Sequence, residues 1–257
     1  MKEMDRLVHI METLRAPGGC PWDARQNHKS LVPSLIEEAY ELVEAIEKDD
    51  ADAMAEELGD VLLQVVFHSI IAGEDGQFTF AEVADRLADK LVYRHPHVFG
   101  NTEVADAAEV TRNWDQLKGA ENGKSERDSI ADGIPASMPA LLYALKLQSR
   151  AQRAGFDWDN AEGVIEKLRE EVDELDAAVK SRDAAAVADE IGDLVFSAVN
   201  LARKLDVDPE AAVHRVNRRF VGRFAHIEKA ARKQGVAVSE LSMAEKERIW
   251  QRAKNSD

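Results

Sequence analysis

Glu37-Glu38-Ala39-Tyr40-Glu41, followed by Glu57-Leu58-Gly59-Asp60, returns later in the chain as Glu170-Glu171-Val172-Asp173-Glu174, followed by Glu190-Ile191-Gly192-Asp193. Five acids recur at one offset of 133 residues: 37 with 170, 38 with 171, 41 with 174, 57 with 190 and 60 with 193. Acids occupy 49 of 257 positions. Five matches at one fixed offset then have a chance on the order of 10⁻⁴ from composition alone. The chain is an internal repeat, and what repeats is the placement of acids.

On an α-helix, residues three and four apart share a face. Glu38 and Glu41 are three apart, Glu37 and Glu41 four apart, and Glu57 and Asp60 again three apart. A polar break separates the clusters, Lys48-Asp49-Asp50 in the first copy and Lys180-Ser181-Arg182-Asp183 in the second. Asp50 and Asp183 suit the N-cap of a following helix. A short break between two helical runs predicts an antiparallel hairpin. Counted outward from the break, Glu41 and Glu57 stand at one distance, and Glu38 and Asp60 at another. With a rise of ~1.5 Å per residue, the two acid pairs reach the same height on facing helices. A solvated acidic face is the plain alternative. Duplication at matched heights favours a cation site, because converging carboxylates repel unless a cation lies between them. Mg²⁺ takes such oxygens and keeps waters and phosphate oxygens as its other ligands.

Glu-Glu-x-x-Glu followed by Glu-x-x-Asp on the next helix resembles the MazG family of nucleoside triphosphate pyrophosphohydrolases, in its two-domain bacterial form. The likeness runs from Cys20-Pro21-Trp22-Asp23 to Trp250. It implies an all-α, Mg²⁺-dependent homodimer, with Mn²⁺ as the alternative cation. It also implies cleavage of a nucleoside triphosphate between the α and β phosphates. The metal set it implies is Glu171, Glu174, Glu190 and Asp193 in the second copy, and Glu38, Glu41, Glu57 and Asp60 in the first. Glu170 and Glu171, with Glu37 and Glu38, are the candidate catalytic carboxylates that orient the attack on the α-phosphorus.

Composition narrows the classes. The net charge of −16 argues against binding a nucleic-acid polymer, which relies on a basic surface. Cys20 is the single cysteine, so no internal disulfide forms, which fits a reducing cytoplasm. The N-terminus lacks the apolar core of a signal peptide. No run of 18 apolar residues occurs, so no membrane span is expected.

Helices are expected over about 4–15, 30–47, 51–72, 80–93, 161–180, 184–204, 209–234 and 243–254, with another starting near Pro139. Alternation is absent except for a few residues near Val236–Val238. The fold class is therefore all-α: two tandem MazG-like helical bundles, 1–118 and 137–257, joined by a polar Gly/Pro-containing linker over 119–136. His28 and Lys29 read as a surface loop, with approach to a phosphate as the alternative. His68, inside an apolar run, reads as a satisfied core histidine. His95-Pro96-His97 lacks a third metal ligand nearby.

A triphosphate also needs fixed cations. Arg219 and Arg223 lie four apart, as do Lys90 and Arg94, and an arginine fork suits phosphate oxygens. The resemblance adds Asn217, where the first copy has Ala88. Trp250 and Trp114 share Trp-x-x-x-Lys, with base stacking and core packing both open. Lys167 completes the substrate-binding candidates. No Gly-x-x-x-x-Gly-Lys-Ser/Thr loop occurs, so phosphates are not cradled that way. The function expected is broad nucleotide-pool hydrolysis of NTP to NMP and pyrophosphate, weighted to the second copy. The alternatives are a narrow dUTP, dCTP or phosphoribosyl-ATP pyrophosphatase, and a non-enzymatic metal-binding interaction protein. A protein partner is not legible.

Overall fold

The computed structural model describes residues 2–107, 109, 110, 113, 114, 117 and 129–255. Among these residues the chain forms ten α-helices and two 3₁₀ turns, with no strand. It divides into two compact units between Ser125 and Glu126. The first unit holds α1 (Lys2–Arg15), a 3₁₀ turn at Asp23–Arg25, α2 (Val32–Glu47), α3 (Ala51–Glu74), α4 (Phe80–Arg94) and the short α5 (Pro96–Phe99). The second holds α6 (Ala140–Arg153), α7 (Ala161–Ser181), α8 (Ala184–Lys204), α9 (Pro209–Gln234), a 3₁₀ turn at Val238–Glu240 and α10 (Met243–Lys254). Val236–Val238 therefore lead into a helical turn, not a strand.

Each unit is built on one helical hairpin, α2/α3 or α7/α8, which is its most extensive helix pairing. The caps explain the entry into the second arm. Asp50 accepts from the Ala53 amide at 3.1 Å, and Asp183 accepts from the Ala185 and Ala186 amides at 3.0 and 3.2 Å. Such caps satisfy donors that a helix start otherwise leaves orphaned. Both hairpins turn through a left-handed residue, Asp49 at φ 53° and Arg182 at φ 60°. Aspartate tolerates this region through local hydrogen bonds. Arginine meets the full Cβ penalty.

The cores lie beside the hairpins. In the first unit Met11 of α1, Leu31 and the α3 residues Val66, Phe67 and Ile71 form one buried cluster. In the second, Ile227, Ala231 and Leu241 pack with Ile249 and Trp250. Polar ties hold the ends. Arg15 donates through Nε and Nη2 to the two oxygens of Glu74, at 2.8 and 2.6 Å, joining the end of α1 to the end of α3. In the second unit Asp157 accepts from Arg203 and Lys204 at the end of α8.

Residues 119–128 of the expected linker lie outside the described residues. Its last part belongs to the second unit: Ile134 is buried, and Arg150 Nη1 donates to the carbonyls of Ile130 and Asp132, both at 2.6 Å. His28 is half-buried and not a plain surface residue. Its Nδ1 meets His68 Nδ1 at 2.8 Å with the rings stacked. His68 is only half satisfied, because its buried Nε2 has no partner. No helix among the described residues is long and apolar enough to cross a membrane.

The turn at Arg182 yields one prediction. Glycine carries no Cβ penalty at positive φ, so Arg182→Gly should stabilise the second unit by about 1 kcal/mol. Urea denaturation followed by circular dichroism reads this directly; an unchanged or lowered midpoint would contradict the strain assigned to that turn.

Candidate functional site

The hairpins bring acids from both arms together. Glu38 and Glu41 of α2 and Glu57 of α3 can place one carboxylate oxygen each within 4.8 Å of one another. Glu171 and Glu174 of α7 and Glu190 of α8 do the same. The two triads are repeat mates, one residue for one residue. Octahedral Mg²⁺ holds its oxygens at about 2.1 Å, so opposite ligands stand about 4.2 Å apart. Oxygens within 4.8 Å of one another stand near that spacing, and an all-oxygen donor set is what such a hard ion takes. The residues present fit the cation.

Asp60 and Asp193, expected as fourth ligands, stand outside these groups. Aspartate is one methylene shorter than glutamate and reaches less far across a hairpin. Asp60 still acts on the first triad through its charge, whereas Asp193 is exposed. Glu37 is exposed beside Glu38. Glu170 is exposed and ion-paired with Lys167.

Among the described residues no cation offsets the field on Glu38 or Glu57 of the first triad. Partial desolvation pushes the Glu38 carboxyl above the usual range, and the charges of Asp60, Glu41, Glu57 and Glu37 push it further. Desolvation and the charges of Glu41, Asp60 and Glu56 do the same to Glu57. The second triad carries its own counter-ion. Lys167 Nζ lies 2.8 Å from Glu170 Oε1 and 2.9 Å from Glu171 Oε1. Hydrogen bonds to Glu170 and then Glu171 hold that ammonium well above the ordinary lysine range. This cation lets Glu171 be 4% exposed, since a buried charge needs a partner. Glu174 is still raised, first by desolvation, with Lys167 working against the shift. Lys167, counted from sequence as a substrate contact, is thus engaged with the acids. The signal lay in its spacing, four residues before Glu171, and in Ser34 at the equivalent place in the first copy.

The cationic candidates divide in the same way. Arg94 lies over the Trp114 ring at 5.1 Å, and Arg223 over the Trp250 ring at 5.8 Å. The guanidinium–indole pair is therefore a second repeated element, worth roughly 0.5–2 kcal/mol. Arg94 is 8% exposed, which turns it toward packing; Arg223 is half-buried. Trp114 is also packed edge-on to His95, and Trp250 lies against Phe220 and the second-unit core. Both tryptophans serve packing in this structure. Lys90, Asn217 and Arg219 are exposed. Lys118, the other half of the first Trp-x-x-x-Lys, lies outside the described residues.

Comparison with known proteins agrees with this duplication. Residues 26–99 match the family model described as MazG nucleotide pyrophosphohydrolase domain. Residues 141–220 match the model described as phosphoribosyl-ATP pyrophosphohydrolase. The chain is 46% identical over 253 residues to the nucleoside triphosphate pyrophosphohydrolase/pyrophosphatase MazG of Thermotoga maritima, covering 98% of this chain and 96% of that protein. It is 39% identical over 260 residues to a nucleoside triphosphate pyrophosphohydrolase of Escherichia coli, covering 100% and 99%. An uncharacterized Bacillus subtilis protein is 42% identical over 256 residues, which is 99% of this chain and 52% of that one. With two acid hairpins in tandem and these full-length relatives, the chain belongs to the MazG family.

Proposed function

We propose that this protein is a cation-dependent nucleoside triphosphate pyrophosphohydrolase, releasing a monophosphate and pyrophosphate. The observation that carries the reading is the pair of three-carboxylate groups in a chain with full-length relatives of that name. Glu171, Glu174 and Glu190, with Asp193 drawn in, would hold Mg²⁺ or Mn²⁺, as would Glu38, Glu41, Glu57 and Asp60. When bound, the cation polarises the phosphates and neutralises their charge. Glu170, exposed beside the triad, would orient a water as general base. Arg219 and Arg223, one turn apart on α9, would neutralise charge developing on the leaving pyrophosphate. Lys167 holds Glu170 and Glu171 in place until the cation and its phosphates enter. A broad range of triphosphates, suited to nucleotide-pool housekeeping, is our reading; the full-length relatives' names specify no base. The model matched by 141–220 favours phosphoribosyl-ATP as the second reading, and including that compound in a substrate panel decides between them.

Two further features extend the proposal. Each hairpin leaves apolar side chains bare on both arms: Ile36, Tyr40, Val43 and Leu58 in one unit, and Val172, Val179, Ile191 and Val195 in the other. Between them Gly59 and Gly192 have nothing within 4 Å of where a Cβ would stand. Glycine inside a helix costs about 1 kcal/mol against alanine, so a bare glycine in both copies points to a close approach by a second copy of the chain. The homodimer buries these stripes. The single cysteine suits a cytoplasmic setting.

The second unit should carry most of the turnover. It has Asn217 where the first has Ala88, and its Arg223 is less buried than Arg94. Glu174→Gln should lower pyrophosphate release by about a hundredfold or more, the scale for losing a group that manages transition-state charge. Glu41→Gln should cost only a few-fold. The reverse order on one triphosphate under one set of conditions would transfer the assignment to the first unit.

The uncompensated first triad has a stability consequence. A carboxyl with a raised folded-state pKa destabilises the fold above that pKa, and the penalty vanishes once pH falls below the unfolded value. Without divalent cation, Glu57→Gln should therefore melt above wild type near neutral pH, with the gap closing in acid. Adding Mg²⁺ should stabilise wild type and do less for the variant. Equal melting at neutral pH would show that the triad is not under repulsion.

A further inference from the structure

We infer that Lys167 is a built-in competitor for the cation at the second triad, so that an ion fills the first triad before the second. The inference deepens the reading above and rests on its cation sites. Two triads of three glutamates, each on one hairpin, offer an ion the same donors. One difference in their surroundings bears directly on the acids. Lys167 stands four residues before Glu171, and Ser34 four residues before Glu38.

The lysine is held by the acids. Its Nζ lies 2.8 Å from Glu170 Oε1 and 2.9 Å from Glu171 Oε1, both hydrogen-bonding distances. Hydrogen bonds between ionised partners are the stronger kind. Glu171 is 4% exposed, so little water competes for its carboxylate. Lysine placed four residues before glutamate is the less favourable order on an isolated helix. The contact is therefore set by burial: a carboxylate taken out of water needs a cation, and Lys167 supplies it.

A divalent ion at this triad meets that ammonium. Glu171 brings an oxygen within 4.8 Å of one from Glu174 and one from Glu190. An ion held by Glu171 at about 2.1 Å shares that carboxylate with Lys167 Nζ, and two cations on one carboxylate repel. Either the ammonium leaves and gives up its bond to Glu171, or it stays and its charge opposes the ion. Both lower the affinity. The Lys167 side chain is 32% exposed and its stem is flexible, so leaving is open to it. The first triad has no counterpart, because Ser34 carries no charge. There the charges of Asp60, Glu41, Glu57 and Glu37 crowd Glu38, and an entering ion relieves that repulsion.

An order of filling follows. Where the cation is scarce the chain holds one ion, in the first unit, and the second triad loads as the concentration rises. Turnover weighted to the second unit would then track the weaker site and not the total ion bound.

Mn²⁺ alone, titrated into the chain and followed by electron paramagnetic resonance of the free ion, reads the two affinities. Glu174→Gln leaves the first triad intact, Glu41→Gln leaves the second, and both remove one charge. The Glu174→Gln chain should bind Mn²⁺ more tightly by about tenfold or more, the scale of one charge-assisted hydrogen bond given up. Adding Lys167→Met to the Glu41→Gln chain should close most of that gap. Adding Lys180→Met instead should not, since this lysine of the same helix pairs with Asp176. Equal affinities in the two single-site chains, tighter binding at the second triad, or a gap that Lys167→Met leaves untouched would each overturn the inference. Equal closure by Lys180→Met overturns it too, by assigning the effect to overall charge. If Lys167→Met loses native helicity by circular dichroism, Lys167→Gln decides: it keeps a donor without the charge and should tighten Mn²⁺ several-fold, and unchanged affinity sinks the competitor role. Pyrophosphate release from a triphosphate is a separate readout. Release with equal Mn²⁺ affinities keeps the enzymatic reading and overturns the order of filling; ordered filling without release does the reverse.

Discussion

Mutual repulsion among three carboxylates on facing helices is the constraint on which each unit depends. Glutamates whose oxygens come within 4.8 Å of one another work against the fold that gathers them. The hairpins withstand this because their cost is covered elsewhere. Aspartate caps fix the start of the second arm, the packed α1/α3 core holds the first unit, and ionic ties at Glu74 and Asp157 anchor helix ends. Stability set against a poised charge cluster is the usual arrangement of a functional site.

The two copies solve the same problem differently. In the second, Lys167 sits between Glu170 and Glu171 as an internal cation. In the first, Ser34 stands at that position and the acids answer by shifting upward. The guanidinium–indole pair is kept in both copies, but Arg94 is sunk into packing and Arg223 is less so. Duplication has preserved the acid geometry and the aromatic brace while letting the surrounding charges diverge.

Much of this was legible in the sequence, for definable reasons. The helical class, the hairpins and the Asp50 and Asp183 caps follow from local periodicity and capping chemistry, which depend on neighbours a few residues away. The repeat then supplied the long-range pairing of Glu57 with Glu38 and Glu41, because the same offset occurs twice. What lay hidden depends on side-chain direction. Nothing local says that His28 turns to His68 or that Asp60 and Asp193 stop outside the triads. The tryptophans were undecidable between stacking and packing because both roles present the same residue at the same spacing.

The central claim is that both triads are cation sites. Electron paramagnetic resonance of free Mn²⁺, titrated with the purified full-length chain, tests it most directly. The account requires saturable binding of one ion per triad, half of it lost in Glu41→Gln, half in Glu174→Gln and all of it in the double variant. Binding that the double variant retains, or a wild-type chain that takes up no Mn²⁺, would contradict it.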